Sequence, residues 1–278
     1  ENWKKNFKKI ALKNNISEAT FDLVMSNTKY LPNVIKYDRY QPEFYEDTKT
    51  YISKRTSDKK VKIGKQLYID NLSLINSVEN EFNIEKELLL SLMGIETNFG
   101  KYLGKMDIIS SLATLSFDKR RRDFFSSELL ILLKLIDDKI IDPKTLFGSW
   151  AGAYGNFQFM PSTIKSYAID YDKNNIIELK HSLNDSLASA ANYINKIGWK
   201  NKEPCYYKIT LKDDIPDKYL NTSARKITNK KKVIFFKKYI TNFENLNIKN
   251  DINSAIIIPD KDIIPGSSTT SPAYIIFE

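Results

Sequence analysis

From Phe82 to Phe99 the apolar residues recur at helical spacing, with Leu88, Leu89, Leu92, Met93 and Ile95 forming one wide stripe. Related patterns fill most of the first 200 residues and restrict the chain to a mainly α fold. Phe7, Ile10 and Ala11 make a short stripe, and Ser17 is a fitting N-cap for a helix from Glu18 to Tyr30. Pro32 and Pro42 interrupt the chain. Further helices are expected from about Val61 to Asn80, over 124–138, after Pro161-Ser162, and over 184–197 up to Gly198. Beyond Trp199 the character changes. Tyr206, Ile209 and Leu211 suit a strand, as do Ala255–Ile258, while 233–240 is ambiguous and 259–272 has loop composition.

Composition narrows the chemistry. A single Cys205 excludes an internal disulfide and a thiolate zinc site, and a single His181 excludes metal sites built on paired histidines. Acid–base work falls to carboxylates, Lys or Tyr. The net charge of +9 invites a polyanion, but the lysines are spread along the chain. The one dense cluster, Lys119-Arg120-Arg121-Arg122, reads as a structural or solvated face, so no nucleic acid is expected as a partner. No apolar targeting stretch follows Glu1, which fits a cytosolic chain or one trimmed of an export signal.

Two segments carry candidate chemistry. In GIETNFG (94–100), Glu96 follows Leu89 by seven residues, Leu92 by four and Met93 by three, which sets it on the apolar stripe. A carboxylate there should be largely buried and raised in pKa, as a general acid requires. The alternative is a helix-end Glu that reaches solvent or an Arg. In GSWAGAYGNFQFMPST (148–163), small residues alternate with Trp150, Tyr154, Phe157 and Phe159 around Gln158. That pattern suits either a sugar-binding surface or a loop packed on its own aromatics.

These segments, with 110–130, ASAANYINKIGW (188–199), LPNVIKYDRYQPEF (31–44) and 51–65, resemble the membrane-bound lytic transglycosylase B family in order and spacing. The resemblance covers roughly residues 31–278. It implies a lysozyme-like helical catalytic core that cuts the MurNAc–GlcNAc bond of peptidoglycan and leaves a 1,6-anhydromuramoyl end. Glu96 matches the single catalytic acid. Ser149, Gln158 and Tyr193 match substrate-binding positions, with Tyr154 and Tyr51 as further candidates.

The implied partners are peptidoglycan glycan strands and possible cell-wall synthesis proteins. The implied setting is a periplasmic monomer, anchored to the outer membrane in the intact protein. The expected organisation is an N-terminal helical region (1–75), a catalytic core (76–200) and an irregular, partly β C-terminal extension (201–278) that stops short of the family's last segment. No cofactor is expected. A calcium-like loop at 170–181 keeps Asp170, Asp172 and Asn174, but Asn175 replaces the turn Gly and His181 stands where a bidentate carboxylate belongs. The competing readings are a catalytically silent peptidoglycan-binding scaffold, a lysozyme-type hydrolase and a basic nucleic-acid-binding helical protein.

Overall fold

The computed structural model describes residues 2–40, 46–261 and 272–277. The chain forms two compact units, one of Glu1–Gln41 with Thr56–Asn201, the other of Pro42–Arg55 with Lys202–Glu278.

The first unit is helical: α1 (Asn2–Lys13), α2 (Glu18–Met25), α3 (Pro32–Arg39), α5 (Asp58–Asp70), α6 (Leu72–Phe82), α7 (Lys86–Thr97), α8 (Ile108–Phe117), α9 (Arg122–Asp137), α10 (Pro161–Tyr167) and α11 (Leu183–Lys196), with the short strands β1 (Met106–Asp107) and β2 (Phe147–Gly148). Ser17 caps α2 by accepting from Thr20 N at 3.2 Å, as its sequence position suggests, but α2 stops at Met25 rather than Tyr30. The helix expected over 61–80 is two helices, broken at Asn71, whose φ of −128° and ψ of 32° leave helical space. The long helix expected over 82–99 is confined to α7, because Asn83 turns left-handed after α6.

At the centre lies α8, buried at every position from Ile108 to Ser116. Ser110, Ser111, Ala113 and Ser116 keep its girth small enough for α9 and α3 to pack close. Its first turn is capped by Asp107, which accepts from Ile109 N at 2.9 Å and Ser110 N at 3.2 Å. The start of α10 is served from another element. Pro161 has no N–H to satisfy, and Ser162 N donates at 2.9 Å to Glu128 on α9, a carboxylate only 4% exposed. Leu112, Leu129, Leu133, Leu187 and Ala191 belong to the core these helices enclose.

The Lys-Arg cluster has a structural assignment. Arg120 and Arg121 both bind the carboxylate of Asp38 on α3, which is 2% exposed, and Arg39 binds Asp118 at 3.0 Å. The cations that could have marked a nucleic-acid surface hold α3 to the α8–α9 junction instead.

The second unit holds α4 (Thr48–Arg55), α12 (Val233–Phe236) and a mixed sheet: β3 (Tyr206–Ile209), β4 (Leu220–Asn221), β5 (Lys231–Lys232), β6 (Asn253–Ile257) and β7 (Ala273–Phe277). The strand order is β3-β7-β6-β4, with β5 also on β6. Ile256 pairs with Ile275, and β4 runs parallel to β6. Thr48 ties α4 to this unit by donating from N and Oγ1 to Asp260 at 2.8 and 2.6 Å. The ambiguous 233–240 stretch is helical, with Val233, Phe236, Tyr239 and Ile240 facing a core that also contains Ile209, Ile256 and Ile275. Most of the loop expected over 259–272 lies outside the described residues.

Candidate active site

Helix α7 ends one residue after Glu96, and the way it ends fixes what lies beside that carboxylate. Asn98, Phe99 and Gly100 are left-handed in succession, with φ of 51°, 58° and 78°. Such a run is unfavourable for side chains larger than Gly, and packing must hold it. Phe99 supplies that packing. Its ring fills a slot between α5 and α7 that only glycines leave open: a Cβ at Gly64 or Gly94 would stand 2.9 or 2.8 Å from Phe99 Cζ. The glycine that opens the GIETNFG motif is thus a seat for the phenylalanine near its end.

The Glu96 side chain departs from the expectation of burial. The residue is exposed, as is Ile95 beside it: Glu96 shares the face of α7 that carries the buried Leu89 and Met93, but it stands in the last turn of the helix. Among the described residues the carboxylate has no hydrogen-bond or ion-pair partner. Its pKa is nonetheless raised, and desolvation by the surrounding protein is the whole cause, with no charged neighbour contributing. Solvent reaches the group while low-dielectric protein surrounds it on its other sides. A general acid with access to a ligand needs that combination.

The segment after α7 packs directly on the aromatic, Gly-rich loop. Gly104, at φ 82°, lies so close to Gly148 that a Cβ there would fall 2.0 Å from the Gly148 carbonyl oxygen. A two-stranded ladder, Met106 to Gly148 and Asp107 to Phe147, continues this contact. Within the loop, Ser149 is half-buried: its hydroxyl accepts from Ala153 N at 2.9 Å, and its backbone N donates to Ala153 O at 2.9 Å. Tyr154 and Phe159 exchange backbone hydrogen bonds at 2.9 Å and close a tight hairpin around residues 155–158. Gln158 sits in that hairpin at φ 50°. Its amide nitrogen donates to Gly155 O at 2.9 Å and lies 3.5 Å from Leu103 O, a donor pattern that leaves the amide oxygen to accept from a ligand. Tyr193 of α11 adjoins the same hairpin, its ring edge-on to Phe159 with centroids 5.7 Å apart.

One expected contact residue, Tyr154, departs from that role. Tyr154 is 2% exposed, and its hydroxyl bonds Glu178 at 2.9 Å and Thr145 at 3.1 Å. It is a packing residue and offers no face to a sugar. Burial pushes its phenol pKa up. Tyr51 belongs to the second unit, on α4, with the Arg55 guanidinium 3.8 Å above its ring.

Sequence reasoning passed over Thr97 and Asn156. Both are buried, and Thr97 Oγ1 lies 2.9 Å from Asn156 O and accepts from Gly100 N at 3.0 Å. The available signal was a small polar residue in the last turn of an apolar helix, directly after Glu96.

At the acidic loop, oxygens of Asp170, Asp172 and Asp185 lie within 4.8 Å of one another and could hold a hard cation. Asp170 accepts from Asn174 and Asn175 N, and Asp185 from Tyr171 and Glu178 N. Burial raises the pKa of Asp185. His181, at the twelfth position, is exposed, while Glu178 gathers the N–H groups of Lys180, His181 and Ser182. The loop therefore satisfies its own backbone with the same carboxylates that would ligate a cation.

A family model described as the transglycosylase SLT domain matches residues 1–271. The chain belongs to that family. It is 40% identical over 126 residues to membrane-bound lytic murein transglycosylase B of Escherichia coli K12, a match covering 45% of this chain and 35% of that protein. The chain thus spans about a third of the length of the curated relative it matches. Among solved structures it resembles SltB3 from Pseudomonas aeruginosa in complex with NAG-NAM-pentapeptide, with a TM-score of 0.86 and 25% identity over 100% of this chain and 72% of that one. The same protein in complex with NAG-anhNAM-pentapeptide aligns with a TM-score of 0.85 and 25% identity over 99% of this chain and 72% of that one. The lysozyme-like helical class expected from sequence is the fold these transglycosylase SLT relatives share.

Proposed function

We propose that this chain is a lytic transglycosylase that cleaves the β-1,4 bond between MurNAc and GlcNAc in peptidoglycan, with Glu96 as its single proton shuttle. The observation that carries the reading is the state of Glu96: accessible, unpaired among the described residues and raised in pKa by desolvation. Family membership and the SltB3 complexes with NAG-NAM and NAG-anhNAM pentapeptides support it.

Protonated Glu96 gives its proton to the glycosidic oxygen as the bond from muramoyl C1 to that oxygen breaks. The resulting carboxylate then takes the proton of the muramoyl C6 hydroxyl, whose oxygen bonds to C1 and closes the 1,6-anhydro ring. Glu96 ends the cycle protonated, and no water is consumed. One carboxylate suffices because the nucleophile is tethered to the reacting sugar. The substrate's N-acetyl oxygen can stabilise the cationic centre meanwhile. Ser149, Gln158 and Tyr193 hold the sugars in this scheme, and no cofactor enters it. The partners are glycan strands, the chain acts as a monomer in the periplasm, and the intact protein is anchored to the outer membrane beside cell-wall synthesis proteins.

Mass spectrometry of sacculi digested by the chain tests the reaction. Products one water lighter than those of a hydrolase are expected, whereas reducing muramoyl ends would assign a lysozyme-type hydrolysis instead.

A further inference from the structure

We propose that Thr97 is a positioning residue for Glu96, holding the last turn of α7 at a set distance from the hairpin at 155–158 through the Asn156 carbonyl. The proposal rests on the reading of Glu96 as the acid.

Three groups converge on the Thr97 hydroxyl. Its oxygen lies 2.9 Å from Asn156 O and 3.2 Å from Met93 O, and it accepts from Gly100 N at 3.0 Å. Met93 O is the ordinary partner for a Thr within a helix. Asn156 O is 59 residues away in sequence, and the shorter distance assigns the proton to it. The hydroxyl therefore bonds the hairpin while it anchors the left-handed turn that ends α7. Asn156 is itself fixed from behind. Its N donates to Leu179 O at 2.8 Å, and its side-chain nitrogen lies 2.9 Å from Ser186 Oγ and 3.2 Å from Lys180 O. Thr97, Asn156 and Ser186 are all at most 4% exposed. In such surroundings hydrogen bonds hold a geometry that exposed ones do not.

The placement matters because no partner among the described residues orients Glu96. Its position depends on the turn it rides on, and that turn meets the hairpin carrying Gln158 through the buried Thr97–Asn156 contact. A proton shuttle that serves two oxygens in succession tolerates little displacement, and about 1 Å of error can cost on the order of a hundredfold in rate.

The test compares wild type with Thr97→Ser, Thr97→Val, Asn156→Ser and Glu96→Gln, measuring kcat, KM and pH profile of anhydro-product release on murein. Thr97→Val keeps the shape and removes the hydroxyl. Asn156→Ser keeps the carbonyl but loosens its anchor to Ser186 and Lys180, and it reads the same effect if Thr97→Val fails to fold. The expected result is a kcat lower by about ten- to a hundredfold, a KM within twofold of wild type, and recovery of most of kcat in Thr97→Ser. The alkaline limb of the profile should also move to lower pH, as a loosened turn admits water to Glu96. Wild-type kcat in the folded variants, a loss confined to KM, or Thr97→Ser falling as far as Thr97→Val would each overturn the proposal. An active Glu96→Gln would instead overturn the reading of Glu96, which separates the two failures.

Discussion

The phenol of Tyr154 and the carboxylate of Glu178 meet at 2.9 Å, joining the loop that carries Ser149 and Gln158 to the stretch that leads into α11. The bond lies in a region where Glu178 also gathers three backbone N–H groups. It gives Tyr154 a structural task that its place in a sugar-binding motif concealed.

Tyr154→Phe should therefore act on stability and spare substrate affinity. Removing the hydroxyl leaves Glu178 and Thr145 short of a buried partner, at a cost of about 1–2 kcal/mol. Thermal denaturation should show a fall of roughly 3–6 °C. KM on murein should stay within twofold. A large rise in KM with unchanged melting would return Tyr154 to the list of sugar contacts.

Asp38→Asn tests the ionic lock between α3 and the start of α9. The substitution leaves Arg120 and Arg121 without their counter-charge at a site where Asp38 is 2% exposed. Because both guanidinium groups keep partial solvent access, the loss should be about 2–3 kcal/mol, or roughly 5–10 °C in melting temperature. Activity of the folded fraction at low temperature should be retained. Weakened DNA binding as the main consequence would contradict the structural assignment of the cluster.

How much of this was legible in the sequence depended on whether a residue's task leaves a periodic or motif-like trace. The polar faces of α7, α9 and α11 revealed those helices. Helix α8 left no such trace, because a helix buried on every side has no polar face to set a period. The break at Asn71 was hidden because no Pro or Gly marks it, and only the backbone of Asn71 leaves helical space between α5 and α6. At the site, the motif gave Glu96, Ser149, Gln158 and Tyr193, but motifs carry no burial. Glu96 was expected inside and is exposed, whereas Tyr154 was expected at a surface and is buried. Thr97 and Asn156 were invisible because a buried hydrogen bond across 59 residues has no local signature.

The raised pKa of Glu96 gives two pH dependences. Catalysis needs the protonated form, so the rate should fall on the alkaline side through a pKa raised from the ordinary glutamate value by desolvation. For stability, the folded state binds the proton more tightly than the unfolded state. The contribution is therefore full below the unfolded pKa and is lost as pH rises through the folded one. At neutral pH the ionised carboxylate is then a small burden. Glu96→Gln should melt about 1–2 °C above wild type at pH 7, a modest effect because solvent screens an exposed group. The gap should close below the ordinary carboxylate range. A variant that melts well below wild type at pH 7 would show that the carboxylate has a stabilising partner.

The most direct test is the release of 1,6-anhydromuropeptides from purified sacculi by Glu96→Gln, quantified by mass spectrometry against wild type. The side chain keeps its size and loses only its titrating proton. The account predicts a rate lower by about a thousandfold or more, from the loss of general acid catalysis, with murein binding preserved and melting no lower than that of wild type. Retention of even a tenth of wild-type turnover by the folded variant would contradict it.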